Sequence, residues 1–164
     1  QTSFISLLAH HDFLSSQIDL LAGQLKTLAE SEIYQERVEI LTSIPGIGWL
    51  SAMEILLELQ DVARFQRAEQ LAAYVGLTPG QHSSGEHVRL GRITRQGKSI
   101  VRTLLVLAAW RLIDKDGAMR EKYERIKARA GGKRAIVAIA RTLLVRLRRL
   151  LLNREPYVLG LVSG

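Results

Sequence analysis

The chain has no cysteine and only three prolines in 164 residues, and aromatic side chains make up 5% of it. Without cysteine, disulfides and thiolate metal sites are excluded, although the compartment stays open. No proline interrupts residues 3–41, so nothing there forbids continuous helix. No uninterrupted apolar run approaches the ~18 residues of a membrane span, and the start lacks the basic-then-apolar pattern of a secretion signal. The expectation is a cytoplasmic protein with no membrane partner. A start at Gln1 instead of Met suggests a piece of a longer chain.

What is present is a folded composition with lopsided charge. The apolar fraction is 47% and the charged fraction 24%, in the range of globular domains. The length suits one core, or one compact domain and a helical arm. Acidic charge is scarce where basic charge is dense: residues 1–60 carry two basic and eight acidic residues, whereas 61–164 carry twenty-one and eight, giving −6 and +13. That asymmetry points to a polyanion for the second part, with nucleic acid ahead of an anionic membrane surface.

Apolar spacing is helical almost throughout. Over residues 3–41, Leu7, Phe13 or Leu14, Ile18, Leu21, Leu25 and Leu28 fall on one side, predicting one long helix or two segments. Such a stripe needs cover, from the main domain or from another copy in a coiled coil. The order Ile44-Pro45-Gly46-Ile47-Gly48 before Trp49–Leu59 resembles a helix-hairpin-helix, in which Gly46 and Gly48 supply unusual backbone angles and let a phosphate approach the next helix N-terminus. A plain helix-to-helix turn is the alternative. A helix is expected from Gln66 to Val75, closed by a left-handed Gly76. Residues 81–95 lose the helical period, and a short strand pair or ordered loop fits them better. Helices resume from Lys98 to about Asp114, from Ala118 to about Ala128, and from Lys133 to Asn153. In the last, Ile136, Ala140, Leu143, Leu147 and Leu150 share a face, with Arg134, Arg141 and Arg148 opposite. Its run of Lys133, Arg134, Arg141, Arg146, Arg148 and Arg149 holds no acid and matches phosphates better than solvent alone. The expected fold is mostly α: a helical arm over 1–40, a helical domain over 41–157 with one short hairpin or irregular loop, and a tail over 158–164.

The chemistry-bearing segment is Gln81-His82-Ser83-Ser84-Gly85, followed by Arg89, Arg92, Arg95, Lys98 and Arg102. A serine hydroxyl needs help to act as a nucleophile, and arginines stabilise charge developing on a phosphoryl group. Two loop serines forming a turn is the bland alternative. His82 and His87 flank the serines and are general-base candidates, although exposed loop histidines mostly do nothing chemical. His10-His11-Asp12 makes a poor metal site, because adjacent residues point to different sides of a helix. No metal site is expected in this chain.

Five pieces together resemble the C-terminal domain of the IS-one-ten family of insertion-sequence transposases: Ile44-Pro45-Gly46-Ile47-Gly48, Gly76-Leu77-Thr78-Pro79 with Ser84-Gly85, Arg95-Gln96-Gly97, Arg102, and Ala138-Ile139-Ala140-Arg141 with Pro156-Tyr157. They lie in family order over roughly residues 38–157, and the arm before them is similar to that family's coiled-coil region. Arg95 stands where lysine is common, and Val101 where leucine is usual. The resemblance implies a DNA recombinase guided by a structured bridge RNA, in which a serine attacks DNA and forms a covalent phosphoserine link. By the Ser-Gly match that serine is Ser84, with Ser83 the alternative. Gly46, Gly48, Arg89, Arg92, Arg95, Lys98, Arg102, Arg134, Arg141 and Arg148 are the candidate DNA- or RNA-binding residues. The resemblance also implies a separate ribonuclease-H-like domain holding divalent metal, magnesium, so no cofactor is expected in this chain and activity by it alone is not. It further implies a homo-oligomer joined through the arm, nucleoid-associated in a prokaryote. The competing readings are a non-catalytic nucleic-acid-binding module and an assembly module.

Overall fold

The computed structural model describes the backbone of residues 2–84, 87–93 and 97–160, and the side chains of 3–78, 93 and 97–160. Contacts divide the chain into two units, Gln1–Glu36 and Arg37–Gly164.

The first unit is built on α1 (Thr2–Ala29), 28 residues long. The chain then turns at Ser31, whose carbonyl accepts from the Tyr34 and Gln35 amides. The proline-free expectation of helix holds, in the two-segment form. Phe4, Ile5, Leu7, Leu8, Phe13, Leu14, Ile18 and Leu21 are all exposed along α1. Its stability as a lone helix therefore draws on backbone bonding and little burial.

The second unit is mostly α, with one two-stranded hairpin. Its elements are most of α2 (Gln35–Thr42), whose first two residues fall in the first unit, then α3 (Trp49–Leu59), a 3-10 turn at Val62–Arg64, α4 (Ala68–Val75), β1 (Pro79–Ser84), β2 (His87–Ile93), α5 (Ser99–Lys115), α6 (Gly117–Ala130) and α7 (Gly132–Asn153). Helix α7 is the hub: α4, α5, α6 and the 3-10 turn all pack on it, and α3 packs on α5. It buries Ala135, Ile136, Ile139, Ala140, Leu143, Leu144 and Leu147, the apolar face that the 3.6 period requires. Opposing them are Val101, Leu105, Ala108 and Leu112 of α5.

The two glycines between α2 and α3 differ in what they do. Gly46 has φ +93, and a Cβ there would come within 2.7 Å of the Arg111 Cβ and 3.0 Å of the Ala108 Cα. Its missing side chain admits α5. Gly48 has φ −88 and ψ 170, extended backbone open to any residue, so the expectation of unusual angles at both glycines is corrected to Gly46 alone.

The buried polar centre lies where α6 begins. Asp116 is 1% exposed and caps α6 by accepting from the Ala118 and Met119 amides at 3.0 and 3.2 Å. Its other oxygen accepts from the Tyr157 hydroxyl at 2.5 Å and lies 3.8 Å from the Arg146 guanidinium. Arg146 in turn donates to the Tyr157 oxygen at 2.7 Å. The Tyr157 amide donates to Ser43 Oγ at 2.7 Å, so the segment after α7 is stitched back to α2. Among the described residues, no buried side-chain polar atom lacks a partner.

Burial pushes the Asp116 carboxyl up, but the hydroxyl of Tyr157 and the amides of Met119, Gly160 and Ala118 outweigh it, leaving the group below its ordinary value. Burial and the same carboxylate push the Tyr157 phenol up to about 12. A depressed carboxyl contributes stability that is present above its unfolded value and lost as pH falls through the folded one. Acid unfolding of Asp116→Asn should therefore be less steep than the parent's below about pH 4. Asp116→Ala removes a cap and strands the phenol and the guanidinium, and should lower unfolding free energy by about 3 kcal/mol in denaturant titration.

Candidate nucleic-acid interface

The serine-bearing segment is a β-hairpin rising from the α4–α5 connection. Backbone register pairs Ser84 with His87, Ser83 with Val88, His82 with Arg89 and Gln81 with Leu90, with an irregularity between Pro79 and Gln81. Directly opposed positions of an antiparallel ladder belong to the same face, and faces alternate along a strand. Positions 82, 84, 87 and 89 thus form one set, His82, Ser84, His87 and Arg89. Positions 81, 83, 88 and 90 form the other, Gln81, Ser83, Val88 and Leu90. Arg92 lies further along β2. Gly85 and Arg95 lie outside the described residues.

The hairpin leaves and rejoins the helical body at the last turn of α4. Gly76 closes that helix in the left-handed region at φ 77, and the Leu77 amide bonds Ala72 O at 2.8 Å, with Leu77 itself buried. On the return, the Lys98 amide bonds Tyr74 O at 3.2 Å, and the Arg102 guanidinium donates to Val75 O at 2.9 Å. Carbonyls that end a helix lack intrahelical donors, and cations suit the negative end of its dipole. Lys98 Nζ also meets Glu58 Oε2 at 2.7 Å, and this hydrogen bond and charge raise the lysine's pKa. Beside them the Arg64 guanidinium lies 4.6 and 4.9 Å from the ring centres of Phe65 and Tyr74.

The basic face of α7 divides by task. Arg148 donates to Phe65 O at 3.1 and 2.6 Å and to Gln66 O at 3.2 Å, tying α7 to the segment before α4. Arg146 belongs to the buried Asp116 centre. Lys133, Arg134 and Arg149 are exposed and Arg141 is half-buried, and no hydrogen bond or ion pair holds these four among the described residues. The sequence places Arg134, Arg141 and Arg148 alike on one face; the fold gives Arg148 backbone carbonyls to bind and leaves the other two outward.

At the helix-hairpin-helix candidate, no side chain caps α3, whose first turn follows Gly48. No three His, Asp or Glu side chains converge as a metal site would require among the described residues. No helix among them is long and apolar enough to cross a membrane. The sequence reading missed the Asp116 cap, the Glu58–Lys98 pair and the Arg64 stack. Only the first left a signal: an aspartate immediately before a helix start.

The second unit is thus a helical body with a serine-bearing hairpin between α4 and α5 and a basic face on α7. The profile of the Transposase IS116/IS110/IS902 family matches residues 38–124. Over 141 residues the chain is 34% identical to the transposase for insertion sequence element IS1111A of Coxiella burnetii, covering 84% of this chain and 38% of that protein. It is 32% identical over 124 residues to an insertion element IS110 protein of Streptomyces coelicolor, covering 76% of this chain and 29% of the relative. It is 30% identical over 126 residues to the pilin gene-inverting protein of Moraxella bovis, covering 74% of this chain and 38% of the relative. The chain belongs to the IS116/IS110/IS902 transposase family. The aligned stretches span about a third of these relatives' length.

The division of arginines is measurable. Arg148→Met should lower unfolding free energy by about 1 kcal/mol, because it removes the donors to the part-buried Phe65 carbonyl and to the exposed Gln66 carbonyl. Arg141→Met should stay within about 0.5 kcal/mol of the parent.

Proposed function

We propose that this chain is the DNA-binding, nucleophile-bearing part of a transposase that moves an insertion sequence through a covalent serine–DNA intermediate. The register of the hairpin carries the reading furthest: Ser84 shares a face with Arg89 and His82 and stands opposite His87, whereas Ser83 stands opposite Val88 and beside Gln81 and Leu90. That placement supports Ser84, the serine of the Ser-Gly step, as the nucleophile. Its Oγ forms a bond to phosphorus as the phosphorus–oxygen bond to one deoxyribose breaks. The hydroxyl proton passes to solvent, and the departing oxygen takes one up. The number of phosphate esters is conserved, so a strand can be rejoined without a nucleotide cofactor. Concentrated positive charge offsets the charge that develops on the phosphoryl oxygens.

Arg89 and Arg92 are the cations on the hairpin strands, and Arg95 follows in the connection to α5. Arg134 and Arg141, with Lys133 and Arg149, form the open basic face that tracks the backbone of DNA or of a guide RNA. The amides at the start of α3, beside Gly46 and Gly48, add a neutral phosphate contact. Arg102 and Arg148 serve the scaffold, their guanidinium groups being held by main-chain carbonyls. Divalent metal and its acidic ligands belong to a separate domain of the whole transposase. The exposed apolar stripe of α1 joins copies into a homo-oligomer, since a single helix leaves Leu7, Ile18 and Leu21 in water.

Recombination by the full-length transposase tests the nucleophile. Ser84→Ala should abolish it with DNA affinity retained, and Ser83→Ala should leave it measurable; recombination by Ser84→Ala at the parent's rate overturns the reading. Salt tests the basic face. Log affinity against log salt should fall with a slope of about −0.9 per phosphate neutralised on duplex DNA, or about −0.7 on single strands, and removing Arg134 and Arg141 should flatten it.

A further inference from the structure

The return of the hairpin is fixed more tightly than its departure. Gly97 has φ +111, and a Cβ on it would fall within the contact radius of the Tyr74 carbonyl oxygen, so the chain passes over the end of α4 closer than any side chain permits. The next amide, Lys98, bonds that same carbonyl at 3.2 Å. Lys98 then begins α5 and turns its ammonium onto Glu58 of α3 at 2.7 Å. The Tyr74 hydroxyl donates to the Glu58 carbonyl at 3.3 Å, so one residue of α3 receives both the helix under the hairpin and the residue that ends it. Arg102, one turn into α5, closes the arrangement on Val75 O.

We propose that the last turn of α4 is a seat that aims the hairpin, and that Gly97 and the Glu58–Lys98 pair are positioning elements for Ser84. The proposal rests on the reading of Ser84 as nucleophile. Ester exchange tolerates little misplacement of the attacking oxygen, and a small rotation at the base of a hairpin becomes a larger displacement along its strands. A half-exposed ion pair adds little to global stability. Its effect is on direction: it ties Lys98, the residue from which α5 starts after the hairpin, to α3 as well as α4. A free lysine at this place would instead be a phosphate contact, and the two roles separate experimentally.

The experiment compares parent, Glu58→Gln, Lys98→Gln and the charge exchange Glu58→Lys with Lys98→Glu, all in the full-length transposase. Hydrogen exchange is read at the Lys98 amide, and recombination turnover is read across DNA concentrations. Each single variant should raise exchange at Lys98 several-fold and lower turnover several-fold at an unchanged half-saturating DNA concentration, and the charge exchange should recover most of both. Parental exchange and turnover in Glu58→Gln would overturn the seat. A raised half-saturating concentration in Lys98→Gln with parental exchange would overturn it in favour of a phosphate contact. Gly97→Ala is the harsher check, and it should raise exchange at Lys98 further in whatever fraction folds. Failure of the nucleophile reading shows separately, as recombination by Ser84→Ala, and leaves the exchange comparison as the test of the seat.

Discussion

The carbonyl end of α4 is the constraint on which the arrangement of the second unit turns. A helix must end with unpaired carbonyls, and a buried end must find donors for them. Here the left-handed Gly76 and the Leu77 amide close one side, while the Lys98 amide and the Arg102 guanidinium close the other. Because the donors on the second side come from beyond the hairpin, finishing α4 also fixes where the hairpin returns. The same few bonds thus end α4 and hold the start of α5 against it.

The same economy governs the arginines. A guanidinium has five donors in a rigid fork, suited to phosphate and equally to paired carbonyls. Arg148 spans Phe65 O and Gln66 O, Arg146 joins Tyr157 beside Asp116, and Arg102 holds Val75 O. Each spends its fork on the scaffold. The positive charge of these groups still adds to the field around the domain. Arg134 and Lys133 at the start of α7 are exposed and hold no hydrogen-bond or ion-pair partner among the described residues. The acidic centre at Asp116 works in the opposite direction, binding the segment after α7 to the core and keeping one cation inward.

Much of this fold is legible in the chain because its information is local. The apolar period marks α3, α5 and α7, Gly76 marks the end of α4, and loss of the period with turn residues marks the hairpin. The Glu58–Lys98 pair and the Arg148 bonds were not legible, since their partners are distant in sequence and nothing in either residue type names a partner. Gly46 and Gly48 look equivalent as letters, yet only Gly46 is pressed against α5. Asp116 was overlooked because Gly117 beside it reads as a break, where the structure starts a helix. For the candidate site, charge and motif order pointed to the hairpin and the Ser-Gly step to Ser84; the strand register adds only that positions 83 and 84 belong to opposite faces.

The central proposal is that the hydroxyl at position 84 becomes the covalent partner of a DNA phosphate. The most direct measurement is to trap the reaction of the full-length transposase with its DNA, digest both polymers and map the modified peptide by fragmentation mass spectrometry. The account predicts a nucleotide phosphate on the Ser84 oxygen. A phosphate adduct on Ser83, or trapped intermediates that carry no protein-linked phosphate, would contradict it.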